Sequence, residues 1–463
     1  MRFSNASLAC GLLAAATLAS PIARANGRFP TAQQLAPSPT DQAFVSLMAT
    51  FGIVISKDTG KNWDWVCELA VGYEPSENPT LGVTANNTVL ISTFEGLGLT
   101  TDRGCTWTLG AGGLTDTAVD LVVVPADRHS ALVLTTKYLA ADEAGTPQYN
   151  TRIWATHDDG ATFAQVGASI DPEIISETID VAPSDKARIY VSGTRRLGGV
   201  ANGVLLRSKD GGQTFAETDF PLLTGDAGLV DRAPFIAAVD PTNPDRVYVR
   251  VDNIDGTRLL VSDDGLASTR QVWQAKGQLT AFALSADGTK VYTGGPADGL
   301  YATTSSALDF TTQKWPGQLG CLALDPFVPN RLLACSNEVS GFAVGASTDD
   351  GATWTPLLHL GCVRGPLACA ASSPVTTQCV PGWAAQQQAL GGMCPLAADG
   401  DAGSDAGTNV PDAGGPKAPV TTSTGCKACA AAPHDGGGRA AILATGLAIA
   451  CLVGRARWRR DAR

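Results

Sequence analysis

Ser56-Lys57-Asp58-Thr59-Gly60-Lys61-Asn62-Trp63 opens a phrase that the chain repeats: Ser or Thr, any residue, Asp, any residue, Gly, two more residues, then Trp or Phe. It returns as Thr100, Asp102, Gly104, Trp107; as Thr156, Asp158, Gly160, Phe163; as Ser208, Asp210, Gly212, Phe215; and as Ser347, Asp349, Gly351, Trp354. Each residue type has a task in a tight hairpin. Asp and Ser/Thr side chains hydrogen-bond nearby backbone and close the turn. Gly supplies a positive φ that other residues resist. The aromatic ring starts the next strand and is buried under the turn.

Repeats at intervals of roughly 40–55 residues are expected of propeller blades. Between Ser208 and Ser347 there is room for two more units. Degenerate candidates lie there: Ser262-Asp263-Asp264-Gly265, one residue out of register and followed by Trp273, and Leu300-Tyr301-Ala302-Thr303, followed by Trp315. A second element repeats in step. Ile236 to Asp240-Pro241 turns through Asn243-Pro244-Asp245-Arg246 into Val247-Tyr248-Val249, and the same strand–turn–strand recurs at 35–46, 179–191, 282–292 and 322–334. These read as inner-strand hairpins. Together the two elements predict seven four-stranded units between about Phe29 and about Leu360.

The repeated phrase resembles the Asp-box, or BNR repeat, of sialidases, sortilins, the photosystem II assembly factor and two-domain xyloglucanases. The resemblance implies a β-propeller with the boxes at the outer rim of the blades, facing away from the ligand face. The expected fold is therefore all-β: a seven-bladed β-propeller, a small Cys-rich module, a disordered linker and a C-terminal hydrophobic helix. The expected divisions are a signal peptide at 1–25, the propeller at 26–361, the Cys-rich module at 362–398, the linker at 399–425 and a sorting or anchor tail at 426–463.

The N-terminus carries the marks of a secretory signal: Arg2, an apolar stretch from Leu8 to Ala19, and Ala23-Arg24-Ala25. At the other end the apolar run Ala440–Gly454 is closed by Arg455, Arg457, Arg459 and Arg460. With Cys426 before it, this tail resembles the MYXO-CTERM sorting signal. That resemblance implies processing near Cys426, lipid on that residue, and retention at the bacterial cell surface. A simple membrane anchor is the alternative, with the arginines on the cytoplasmic side. Between propeller and tail, Asp-Ala-Gly recurs at 401–403, 405–407 and 412–414, a composition that cannot build a core.

The formal charge is −11. Taking away Arg2, Arg24, Arg455, Arg457, Arg459, Arg460, Arg463 and Asp461 with the leader and tail leaves about −17. Nucleic acid and anionic surfaces need basic patches, so neither is expected as a partner of the ectodomain. The chain is expected to be a monomer that meets an extracellular glycan, peptide or protein.

The cysteines suit an oxidising compartment. Cys321 and Cys335 flank a hairpin and are expected to pair. Cys67 and Cys105 are candidates for a bridge between neighbouring blades. Cys362, Cys369, Cys379 and Cys394 are expected to form a two-disulfide module, with three pairings open.

No cofactor or metal is expected. The four histidines, His129, His157, His359 and His434, form no metal pattern or triad, and no nucleophile elbow, phosphate loop or dinucleotide fingerprint is present. Asp58, Asp102, Asp158, Asp210 and Asp349 look like an acidic set, but turn closure accounts for all five. Binding residues are expected on the opposite face, in the second-to-third-strand loops and the loops between blades. The candidates are Glu95, Tyr138, Asp142, Glu143, Tyr149, Arg195, Arg196, Asp231, Arg232, Asp252 and Glu338, with the loop 137–150 foremost. Two functions compete. One is a noncatalytic binding disc; the other is a glycoside hydrolase of sialidase or xyloglucanase type, which would use a pair of loop-face carboxylates.

Overall fold

The computed structural model describes residues 29–143, 145–197, 200–223, 231–253, 255–391 and 394. The expected signal peptide, linker and sorting tail, Cys426 included, lie outside the described residues. The described chain folds as seven four-stranded antiparallel sheets, each built from one continuous stretch. The innermost strands are Ala32–Pro37, Leu81–Val83, Thr117–Val123, Ile175–Ala182, Phe235–Val239, Ala281–Leu284 and Leu319–Leu324. The outermost are Asp64–Val66, Thr108–Leu109, Ala164–Val166, Ala216–Phe220, Arg270–Gln274, Gln313–Trp315 and Thr355–Leu358. This is the seven-bladed propeller that the repeats predict. The inner strand of the seventh blade packs beside that of the first, so the ring closes.

Blades hold together through middle strands that are buried on both faces, most completely in blades 1 and 2. Val45–Ala49, Gly52–Ser56 and Val89–Thr93 are buried throughout. A strand sandwiched between two neighbouring sheets has no solvent side, so it loses the alternation of an open sheet. The large aromatic side chains fill the gaps between blades, as where Trp273 stacks on Phe310 with ring centroids 5.1 Å apart.

The repeated turns share one hydrogen-bond pattern. In the first, the Ser56 hydroxyl donates to Asp58 (3.0 Å) and accepts the Gly60 amide (2.9 Å). Asp58 then accepts the amide and side chain of Asn62 (2.8 and 2.6 Å), and the Trp63 indole donates to the Gly60 carbonyl (3.0 Å). The sixth-blade and fifth-blade turns depart from the phrase. The Ser262 turn is in register after all: Asp264 takes the aspartate role, accepting Ser268 (2.9 and 2.7 Å), and Leu266 occupies the glycine slot at φ 68°. Gly265 fills the preceding slot, which is also left-handed in the other turns (Thr59, Arg103, Asp159, Gly211 and Asp350). In the sixth blade Ser306 stands where the aspartate would be, 3.2 Å from the Thr304 hydroxyl.

The Cys-rich segment is the principal correction. Cys362 pairs with Cys394, but Cys369 reaches back to Cys105 in the second blade and Cys379 to Cys67 at the end of the first. It is therefore no self-contained two-disulfide module, and Cys67 and Cys105 do not bridge to each other. Residues 364–367 run along the outer edge of blade 1, where Trp65 donates to the Gly365 carbonyl (2.7 Å) and accepts the Leu367 amide (2.8 Å). A short helix, Val380–Ala389, follows. Its Trp383 packs on Trp65 at 5.6 Å. The Cys321–Cys335 bridge forms as expected, from directly opposed strand positions.

Candidate functional site

The inner strands leave a cavity of about 620 Å³ at the ring's axis. It opens on the face away from the repeated turns, because its wall is made of inner-strand starts and second-to-third-strand loops. The wall includes Gln33, Gln34, Asn78, Thr80, Asp120, Phe235, Arg250, Thr280, Gln318 and Asn337. A smaller cavity of about 180 Å³ shares Gln33, Gln34, Phe235, Arg250 and Thr280 and continues past Ala237, Phe282 and Cys321. On the opposite face Thr59 and Gly60 lie in a shallow cleft with Asp325 and Phe327.

Several of these polar side chains also lace the blades together. An inner strand has one free edge, and its amides and carbonyls need partners. Gln34 of blade 1 takes both groups of Leu81 in blade 2, at 2.8 and 3.0 Å. Asp120 of blade 3 accepts the Ile179 amide of blade 4 at 3.0 Å, and Thr178 accepts the Ile236 amide of blade 5 at 3.2 Å. Arg250 donates to the Leu279 carbonyl of blade 6, and the Thr280 hydroxyl to the Leu319 carbonyl of blade 7 at 3.0 Å.

Two aspartates in this ring are displaced in charge. Burial pushes Asp120 up to about 7 against the pull of the Ile179 and Leu121 amides. Asp180, one blade on, is also pushed up to about 7 by burial, against hydrogen bonds from the Val181 and Val239 amides, and its charge adds to the rise of Asp120. The turn aspartates behave oppositely: hydrogen bonds from Thr162, Thr214 and Thr353 hold Asp158, Asp210 and Asp349 down to about 2. Burial lowers Arg250, with Asp252 acting against it.

The expected binding residues are on the anticipated face but not around the cavity. Glu95 is exposed at a hairpin turn of blade 2. Tyr138, Asp142, Glu143 and Tyr149 belong to a separate two-stranded ribbon, Tyr138–Ala141 with Pro147–Tyr149, rather than a loop. Its two tyrosines meet edge-on at 5.7 Å, and Asp142 accepts the Thr146 amide at 2.8 Å. Residues 194–197 and 200–202 likewise continue the blade-4 hairpin, paired as far as Leu197 and Val200. There Arg195 is held by Asp171 (3.8 Å), Glu217 and Asp219 (3.0 Å), while Arg196 is exposed. Asp231 is buried against Arg258 and Asn253, and the exposed Arg232 donates its amide to the Asp252 carbonyl. Asp252 accepts the Thr257 hydroxyl, and Glu338 binds His359 (3.1 Å) and the Leu360 amide. Arg195, Asp231, Asp252 and Glu338 thus shape the loops.

The cavity residues carry no loop signature in the sequence because they sit on or beside inner strands. The signal was present as polar residues in otherwise apolar strand runs: Asp120 within Ala118–Val124, and Arg250 within Val247–Val251. Among the described residues no cluster of His, Cys, Asp and Glu is arranged to hold a metal. No described helix is long and apolar enough to cross a membrane.

The fold and its axial cavity define the class: a seven-bladed β-propeller with a polar mouth on one face. No protein-family profile and no curated protein matches the chain. Solved structures do. An ancestral GH74 enzyme aligns at 11% identity and TM-score 0.38, over 72% of this chain and 55% of its own. A GH74 enzyme of Niastella koreensis aligns at 14% identity and TM-score 0.27, over 70% and 71%. A puromycin-hydrolysing peptidase of Mycobacterium tuberculosis aligns at 13% identity and TM-score 0.44, over 71% and 53%. The chain spans about half the length of the first and third of these, and the likeness is one of fold alone.

Proposed function

We propose that the chain is an exported binding protein, held at the cell surface by its C-terminal tail, which takes its ligand at the axial cavity. The chemistry of the wall carries this reading. Amides and hydroxyls of Gln33, Asn78, Thr280, Gln318 and Asn337 line the same cavity as Arg250. Asp120 is the one carboxylate among the described lining residues, and it is already engaged by the Leu121 and Ile179 amides. Glycoside hydrolysis ordinarily uses two carboxylates flanking the bond. A polar wall with a single, occupied carboxylate suits recognition better. Four disulfides among the described residues agree with an oxidising compartment.

Hydrolysis is the second reading, and one observation favours it. Asp120 and Asp180 sit on adjacent inner strands and are held near 7, where a general acid operates. Glycan and peptide arrays probed with the full chain separate the two. Binding predicts hits that Gln318→Trp, at the mouth, removes and Phe327→Trp, on the other face, leaves intact. Hits unaffected by Gln318→Trp overturn the site. Cleavage of a hit that Asp120→Asn abolishes replaces binding with catalysis.

A further inference from the structure

Arg250 is the arginine of the cavity wall, and it contrasts with five half-buried arginines elsewhere in the blades that are ion-paired. Arg188, Arg195, Arg246, Arg258 and Arg331 each have a carboxylate as partner: Asp245, Asp219, Asp263, Asp231 and Asp325 respectively. Arg250 has none within ion-pair distance among the described residues. Its guanidinium lies 4.1 Å above the ring of Phe235, its cross-strand neighbour. It gives one hydrogen bond, to the Leu279 carbonyl. Its Nε is buried without a partner. A planar fork of five donors is thus left largely open beside the cavity that it lines. Burying such a charge is costly unless something compensates it. Stacking on an aromatic face and one carbonyl offset only part of that cost.

Gln33 supplies a second unmet group. Its Nε2 donates to Asn78 at 2.8 Å, while its Oε1 is buried and accepts nothing. The cavity therefore presents an unneutralised cation and an orphaned acceptor, flanked by the side-chain amides of Asn78, Gln318 and Asn337.

We propose, resting on the binding reading above, that Arg250 anchors a subsite for a small hydroxy- or amido-carboxylate. The carboxylate would lie on the open edge of the guanidinium, where two parallel hydrogen bonds form. A hydroxyl or N–H on the ligand body would satisfy Gln33 Oε1. The charge balance selects a monoanion. Asp252 acts on Arg250 from two residues along the same strand and already offsets part of its charge, so a dianion such as phosphate meets more repulsion than a carboxylate does.

Titration calorimetry on the full chain tests this with matched pairs: glucuronate against glucose, and N-acetylglycine against N-acetylglycine amide, with inorganic phosphate as a third arm. At least one acid is expected to bind about tenfold or more tightly than its neutral twin. Which acid does so identifies the ligand's source as sugar or amino acid. Arg250→Met removes that preference, and Arg250→Lys, which keeps the charge without the fork, retains part of it. Thermal melts establish that both variants fold. The subsite is refuted by acids binding no better than their neutral twins, by a preference that survives Arg250→Met, or by phosphate binding most tightly. Array hits that are lost in Gln318→Trp but carry no acid group would sink the subsite and leave the binding function standing.

Discussion

Cys67, at the end of blade 1, is bonded to Cys379, which lies 312 residues later in a segment that follows blade 7. Every blade here is one continuous stretch, so no strand is shared between the first and the last. The ring is clasped from outside instead. Residues beyond blade 7 lie along the edge of blade 1, where Arg364 pairs with Asp64 at 2.6 Å, and a second bond, Cys105–Cys369, fixes the same segment to blade 2.

Removing the clasp should loosen one junction before the others. The double variant Cys67→Ser, Cys379→Ser is expected to lose about 2–5 kcal/mol of stability. Hydrogen exchange should rise first in the inner strands Ala32–Pro37 and Leu319–Leu324, which meet at the closure. Uniform loss of protection around the ring would contradict this.

The turn hydroxyl does more than its size suggests. Ser208 Oγ donates to Asp210 at 2.7 Å and accepts the buried Gly212 amide at 2.8 Å. Ser208→Ala strips that amide of its acceptor and is expected to cost about 1–3 kcal/mol, read as a lowered denaturation midpoint. Ser208→Thr, the residue that the second and third blades use, should restore most of it.

Thr59 holds a left-handed conformation at φ 65° in a slot that blade 4 fills with Gly211. A β-branched residue is strained there. Thr59→Gly is expected to stabilise the chain by about 0.5–1 kcal/mol once the added freedom of the unfolded chain is discounted. A lowered melting temperature would show that the Thr59 side chain contributes more than its strain costs.

The buried and exposed aspartates give opposite pH dependences. Asp120 and Asp180 rise to about 7, above the unfolded value of about 3.9. The folded state then binds more protons between these limits, so their stabilisation is full below about pH 4 and is lost as pH rises through 7. Asp158, Asp210 and Asp349, held down to about 2, stabilise above pH 4 and lose that contribution as pH falls through 2. The melting temperature should therefore fall from pH 4 to pH 8. Asp180→Asn should flatten that fall, and an unchanged slope in this variant would refute the assignment.

The turns were legible because their chemistry is local. Ser56, Asp58 and Gly60 bond to one another within five residues, and the inner hairpins pair neighbouring stretches of chain, Ile175 with Thr194 at the widest in blade 4. Even the Ser262 turn was visible, although Leu266 in the glycine slot disguised its register. The site was less legible. Asp231 and Arg195 looked like solvated loop groups, yet their partners Arg258 and Asp219 lie 27 and 24 residues away and occupy them structurally.

By itself the sequence determined the blade count, the turn chemistry and the hairpin disulfide Cys321–Cys335, since each depends on contacts between near neighbours in the chain. Closure decided the rest. Which cysteines clasp the ring, which carboxylates are pushed toward neutrality, and that Arg250 and Gln33 line one cavity all follow from bringing residues far apart in the chain around one axis. No local pattern encodes those distances, because they exist only once seven sheets have met.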